Sequence, residues 1–178
     1  MDCLFILFLT TFRKYFILLT NRGTTMEIVK MPNPILKSIS KEVKLPLSKE
    51  DKDLLDEMYK YVKEHKEEAV GLSAVQVGQL KRMCAIRFSI DGKTRGYKLV
   101  NPRIISHSSK LMFNPEGCLS VDEHHDEPIP RYSEVKVVAF DTITNSNVCI
   151  NARGYEAIIL QHEIDHMDGK LYIDYITK

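Results

Sequence analysis

The 178-residue sequence is narrowed first by what it has little of. Its four cysteines, Cys3, Cys84, Cys118 and Cys149, are too few and too scattered for the disulfide framework of a small secreted domain, which implies a reducing, cytoplasmic setting. It carries little net charge: 25 Lys and Arg against 24 Asp and Glu leave +1. No basic stripe interleaved with aromatics is present, so specific DNA binding is not implied. It also lacks an apolar run of the ~20 residues that a membrane span requires. The apolar stretches Cys3 to Thr11 and Tyr15 to Thr20 are split by Arg13 and Lys14, and charge in that position does not suit a secretory signal either. Residues 1–25 therefore read as an N-terminal extension. The favoured reading is a dispensable segment ahead of a functional start at Met26; a targeting segment and an ordered extra strand or helix are the alternatives. No internal repeat, low-complexity tract or second domain boundary interrupts the rest. A chain of this length with 44% hydrophobic residues suits one core and one catalytic domain over residues 26–178.

From Met26 a short extended arm is broken by Pro32 and Pro34 and should lie against the core. Ser48-Lys49-Glu50-Asp51 has the form of a capping box, and Leu54, Leu55, Met58, Tyr61 and Val62 follow at helical spacing, so an amphipathic helix is predicted, ending near His65. Gly71 to Gly78 is a small-residue loop where backbone can approach another group closely. Strands are predicted over Met83 to Phe88, Tyr97 to Val100, Glu134 to Phe140 and Val148 to Ile150, joined by turns at Asp91-Gly92 and Thr144 to Asn147. Cys84 and Cys149, inside such runs, read as small buried hydrophobes. A last helix from Gly154 to about Asp168 stops at Gly169. The fold class is α+β: antiparallel sheets around a central C-terminal helix, with an amphipathic helix nearer the N terminus.

That last helix carries His162-Glu163-Ile164-Asp165-His166. Histidines at i and i+4 share one helix face and can reach one metal ion, while Glu163, one residue further round, is placed to hold a proton. A catalytic site needs a third protein ligand. The remaining histidines, a distant carboxylate and a cysteine are the candidates, and Cys118 in Glu116-Gly117-Cys118-Leu119-Ser120 is favoured because a thiolate ligates well beside a glycine that lets backbone close in. Tyr155, Ile158 and Ile159 precede His162 at helical spacing and can present an apolar wall beside the ion, or simply be core.

Gly71-Leu72-Ser73-Ala74-Val75-Gln76, then Glu116-Gly117-Cys118-Leu119-Ser120, then Gln161-His162-Glu163-Ile164-Asp165-His166 resembles the three ordered motifs of peptide deformylases, from about Met26 to Asp174. The continuation Ser120-Val121-Asp122-Glu123 is more similar to members of Gram-positive type. The resemblance implies removal of the N-formyl group from formylmethionyl nascent peptides, with release of formate and possible ribosome association. It implies Cys118, His162 and His166 as ligands of one divalent ion, commonly Fe(II), with Zn(II), Ni(II) or Co(II) able to replace it. Glu163 becomes general acid and base, and Gln76 and the Leu119 N–H become donors to the developing oxyanion. Val70 and Gly71 supply a second side of the substrate site, Gly71 offering backbone to an extended peptide. Glu116 and Arg131 pair to brace the cysteine loop in relatives, Arg131 as a surface charge being the alternative.

Some positions depart from the family pattern. Ala69 stands where glycine is frequent, His125 falls near where some members carry a substrate-facing arginine, and no long helix follows Tyr175, an absence that should affect stability more than chemistry. Two rivals remain: an HExxH metallopeptidase, whose third ligand would usually be a downstream His or carboxylate, and a non-catalytic metal-containing peptide-binding protein, which would not need Glu163 or Gln76.

Overall fold

A computed structural model describes residues 26–176. The extension over residues 1–25, with Cys3, lies outside the described residues. The first long element is helix α1 (Lys49–Glu64), which begins where the Ser48 hydroxyl accepts the Asp51 N–H at 3.1 Å. Asp51, Leu55, Met58 and Val62 are its buried stripe, at the spacing that puts one helical face against the core. His65 ends it, stacking its ring on Tyr61 with centroids 4.0 Å apart.

Seven strands follow: β1 (Gly71–Ser73), β2 (Met83–Ile90), β3 (Lys93–His107), β4 (Leu111–Asn114), β5 (Ile129–Tyr132), β6 (Glu134–Asp141) and β7 (Ser146–Arg153). They form a five-stranded antiparallel sheet in the order β1-β2-β3-β6-β7 and a separate β4-β5 ribbon. The β2–β3 hairpin turns on Asp91 and Gly92, both at positive φ (50° and 70°), the conformation a tight two-residue hairpin demands. The β6–β7 loop is organised by Asp141, whose carboxylate accepts the N–H groups of Ile143 and Thr144.

Strand alternation sorts the core into two layers. Cys84, Ile86 and Phe88 of β2 face one way, towards the second helix, α2 (Tyr155–Met167), and join its Ala157, Ile159, Leu160, Ile164 and Met167. Met83 and Ala85 face the other way, with α1 residues Leu55, Met58 and Val62. The sheet thus lies between two helices of different character. Helix α1 keeps one polar face, whereas α2 is buried nearly all round, the mark of an internal helix. Gly169, at φ 72°, ends α2, and a Cβ there would fall 2.6 Å from the Lys37 carbonyl.

The α+β reading holds, and three details differ from expectation. Strand β3 runs past Asn101-Pro102 instead of stopping at Val100, because Asn101 takes φ 52° and the register shifts between Val100 and Arg103. That is a bulge, a place where a sheet tolerates proline. Strands β1, β4 and β5 were not foreseen. Cys149 is exposed, because β7 is an edge strand and Cys149 falls on its outer face; Cys84 is buried as expected. Among the described residues, no helix is long and apolar enough to cross a membrane.

Burial tends to raise the Asp51 carboxyl, but hydrogen bonds from Lys81 and Ser48 outweigh it and hold the group below its ordinary range. A carboxylate depressed in this way adds stability at pH above about 4, lost as pH falls through its folded value. Ser48→Ala should lower the unfolding free energy by about 1 kcal/mol at pH 7. Urea denaturation should show that difference narrowing as pH falls through the folded value of Asp51, which lies below the ordinary carboxylate range.

Candidate active site

Helix α2 places His162 and His166 one turn apart, with their Nε2 atoms 3.2 Å from each other. The loop after β4 brings Cys118 Sγ to 3.3 Å from His166 Nε2, and one ligand atom from each of the three residues lies within 4.8 Å of the others. A tetrahedral ion with M–N near 2.0–2.1 Å and M–S near 2.3 Å holds such donors about 3.3–3.7 Å apart. The trio therefore fits one divalent ion with little movement. Burial holds His166 well below the usual histidine range, helped by the charges of His162 and Arg131, leaving it neutral with a lone pair to offer. At His162 burial acts in the same direction, but hydrogen bonds to Cys118 and Glu116 overcome it and lift the group well above its ordinary value. The two imidazoles are thus shifted in opposite directions by their surroundings.

The orientation of His162 comes from behind. Its Nδ1 donates to Glu116 Oε2 at 2.7 Å, which assigns the tautomer and directs Nε2 at the cluster. Glu116 is in turn clamped by Arg131, through Nε to Oε1 at 2.6 Å and an Nη to Oε2 at 3.0 Å. Arg131 also bonds Asp165 of α2 and stacks on the Tyr175 ring, 4.8 Å from its centroid. Only 3% of the Arg131 side chain is exposed, so it is a buried brace and not a surface charge. Burial works against the Glu116 carboxylate, but His162 and Arg131 hold it below its ordinary value. Tyr172 adds a ring stacked over His162 with centroids 6.3 Å apart.

Glu163 faces the opposite fate. It is buried, its Oε2 accepts the Ser73 hydroxyl at 2.7 Å, and burial raises its carboxyl above the ordinary range even though His162 and Ser73 pull the other way. Its carboxylate occupies the space beside Gly71, where any Cβ would fall 2.2 Å from Glu163 Oε1. The glycine is therefore a steric requirement of the glutamate. Gln76 is held by the Ser73 N–H, which donates to its Oε1 at 2.9 Å; this turns its Nε2 towards Ser120 Oγ at 3.2 Å and Cys118 Sγ at 3.5 Å. A side-chain N–H beside the metal donors is thus fixed before any ligand arrives.

These groups open on a cavity of about 330 Å³. Val70, Gly71, Tyr155, Ile158 and Ile159 all line it, with Gln76, Leu119, Cys118, His162 and Glu163, so every expected site residue except His166 reaches its surface. Ile158 and Ile159 are buried and Ile159 also belongs to the main core, while Tyr155 is half exposed at the rim. Gly117 does not make the close backbone approach expected of it: a Cβ there would meet nothing within 4 Å. His125 does not line the cavity; it meets the Tyr172 ring edge-on at 6.1 Å. Ser73, Ser120, Asp165 and Tyr172 were missed. Ser73 carried the one usable signal, a small hydroxyl inside a run of apolar residues that needs a buried partner.

The model of the family described as polypeptide deformylase matches residues 25–178. Peptide deformylase of Oceanobacillus iheyensis is 39% identical over 167 residues, covering 86% of this chain and 91% of that protein. Among solved structures, peptide deformylase of Ehrlichia chaffeensis superposes with a TM-score of 0.78 at 30% identity, covering 87% of this chain and 89% of that one. The Met-Ala-Ser-bound peptide deformylase of Acinetobacter baumannii gives a TM-score of 0.76 at 29% identity, with 87% of this chain and all (100%) of that chain covered.

Removing the guanidinium would leave Glu116 and Asp165 charged, enclosed and without their shared partner. Arg131→Met should therefore destabilise the fold by about 3–5 kcal/mol, read as a lower urea midpoint. A loss below 1 kcal/mol would show that the clamp contributes little.

Proposed function

The chain belongs to the peptide deformylase family, and from that premise we propose that Cys118, His162 and His166 hold one divalent metal ion while Glu163 carries the protons of the reaction. The chain is a metal-dependent hydrolase that removes the N-formyl group from nascent polypeptides. The observation behind the assigned roles is the pairing of a three-donor cluster with a buried carboxylate that stands outside it, against Gly71 and the Ser73 hydroxyl.

When bound, the ion supplies a Lewis acid and lowers the pKa of the attacking water. Water adds to the formyl carbon, the C–N bond breaks, and formate and a free amine leave. Glu163 accepts the proton that the water gives up and returns it to the departing nitrogen. A carboxyl raised by burial is suited to both halves of that exchange. The formyl oxygen gains negative charge as water adds. The Gln76 side-chain N–H and the Leu119 backbone N–H donate to it, and loss of one such donor typically slows a reaction by ~10²–10³. Ser73 is the positioning residue common to Gln76 and Glu163, since its N–H fixes one and its hydroxyl the other.

Val70, Tyr155, Ile158 and Ile159 form the wall for the methionine side chain, and the free edge of β1 at Gly71 accepts the peptide backbone. Fe(II) is the proposed ion; a thiolate with two imidazoles also accommodates Zn(II), Ni(II) or Co(II). An Fe(II) form should lose activity in air through oxidation of the ion or thiolate. Residues 26–178 are proposed to carry the whole activity in the cytoplasm, with the ribosome as the source of substrate. A chain beginning at Met26 should then release formate at an undiminished rate, and its failure to fold would place residues 1–25 in the core.

Binding and chemistry should separate on substitution. Cys118→Ala should lose the metal, whereas Glu163→Ala should retain about one ion per chain and lose formate release by at least ~10²–10⁴. Formyl-Met-Ala-Ser should yield formate with its internal peptide bonds intact. Cleavage of internal bonds instead would assign the site to a peptidase, and metal retention without either reaction would assign it to a binding protein.

A further inference from the structure

The segment from Leu111 to Cys118 alternates strictly in exposure. Leu111, Phe113, Pro115 and Gly117 are exposed, whereas Met112, Asn114, Glu116 and Cys118 are half-buried or buried. Alternation of this kind belongs to extended chain with one face to solvent. The inner face is occupied by the cysteine loop's bracing. The outer face is apolar and uncharged: Leu111 is 42% exposed and Phe113 62%. Their β5 partners, Tyr132 and Pro130, stand directly opposite and widen the strip, and Tyr132 is capped by the His107 ring, 3.6 Å between centroids.

Isolated exposed apolar side chains are ordinary, but a contiguous group marks a binding surface. This one adjoins the candidate active site. Pro115 and Gly117, at one end of the strip, line the cavity that holds the metal donors, and at about 3.3 Å per extended residue the strip continues roughly 20 Å from there to Leu111. A cavity of about 330 Å³ is of small-molecule size. The substrate is a polypeptide too long for that cavity, and the strip adjoins it at Pro115 and Gly117. We propose that the outer face of β4–β5, from Gly117 to Leu111, is a docking strip for apolar side chains of the nascent polypeptide downstream of its formyl-methionine. The inference rests on the deformylase reading and extends it from the reacting end of the substrate to the chain behind it.

The test uses the full-length metal-loaded protein and three peptides: formyl-Met-Ala-Ser, the same peptide lengthened by six Leu- and Phe-rich residues, and the same lengthened by six Gly and Ser. Burial of parts of two or three apolar side chains at ~25 cal/mol/Å² corresponds to about three- to tenfold in KM. Wild type should show that advantage for the apolar extension over the polar one. Leu111→Ser with Phe113→Ser should abolish it while treating formyl-Met-Ala-Ser as wild type does. Ile143→Ser, an exposed apolar residue 47% accessible in the β6–β7 loop, should keep it. Equal KM for both extensions in wild type, the same loss in Ile143→Ser, or an equal loss on the short peptide would each overturn the strip. So would a concentration-dependent dimer abolished by the double substitution, which would give this face to a second copy of the chain. Absence of formate from the short peptide in wild type would instead defeat the deformylase reading itself.

Discussion

The buried guanidinium of Arg131 ties together three parts of the chain that are distant in sequence. It bonds Glu116 ahead of the cysteine, Asp165 between the two histidines, and stacks on Tyr175 near the end of the described chain. Through Glu116 it reaches the ring of His162. One cation therefore fixes how the cysteine loop sits against the helix that carries the other two donors. Breaking such a pair from one side is far more harmful than replacing the whole of it, so the site inherits the rigidity of its own foundation.

Two glutamates a short distance apart are pushed in opposite directions by their surroundings. Both are buried, which alone would raise both. Glu116 has an arginine and a histidine to stabilise its charge and stays low; Glu163 has a hydroxyl and the more distant His162 charge, and is raised. Such divergence suits Glu116 to orienting a neighbour and Glu163 to the proton exchange proposed for it. The separation depends on very small residues: Gly71 leaves space for the Glu163 carboxylate, and Ser73 spends its hydroxyl on Glu163 and its backbone N–H on Gln76.

The elements written in local pattern were legible in the sequence. Helix α1 begins and ends where its cap and stripe say, and both hairpin turns fall on the residues that tolerate positive φ. The elements that depend on partners were not. Strand β3 continues through a proline because a bulge absorbs it, β4 and β5 are short and become strands only by pairing with each other, and Cys149 is exposed because β7 ends the sheet. The site divides in the same way. Cys118, His162, Glu163 and His166 announce themselves by spacing and motif, and Gln76 by resemblance. Ser73, Asp165 and Tyr172 act through residues distant in sequence, and the apolar strip of Leu111 and Phe113 is visible only once alternation in exposure is known.

In the proposed site one thiolate and two imidazoles surround a single ion. X-ray absorption spectroscopy of the metal-loaded protein reads that shell directly. The expected shell has one sulfur near 2.3 Å, two imidazole nitrogens at about 2.0–2.1 Å and a light atom in the remaining position. A shell without sulfur, or with a single imidazole, would contradict it.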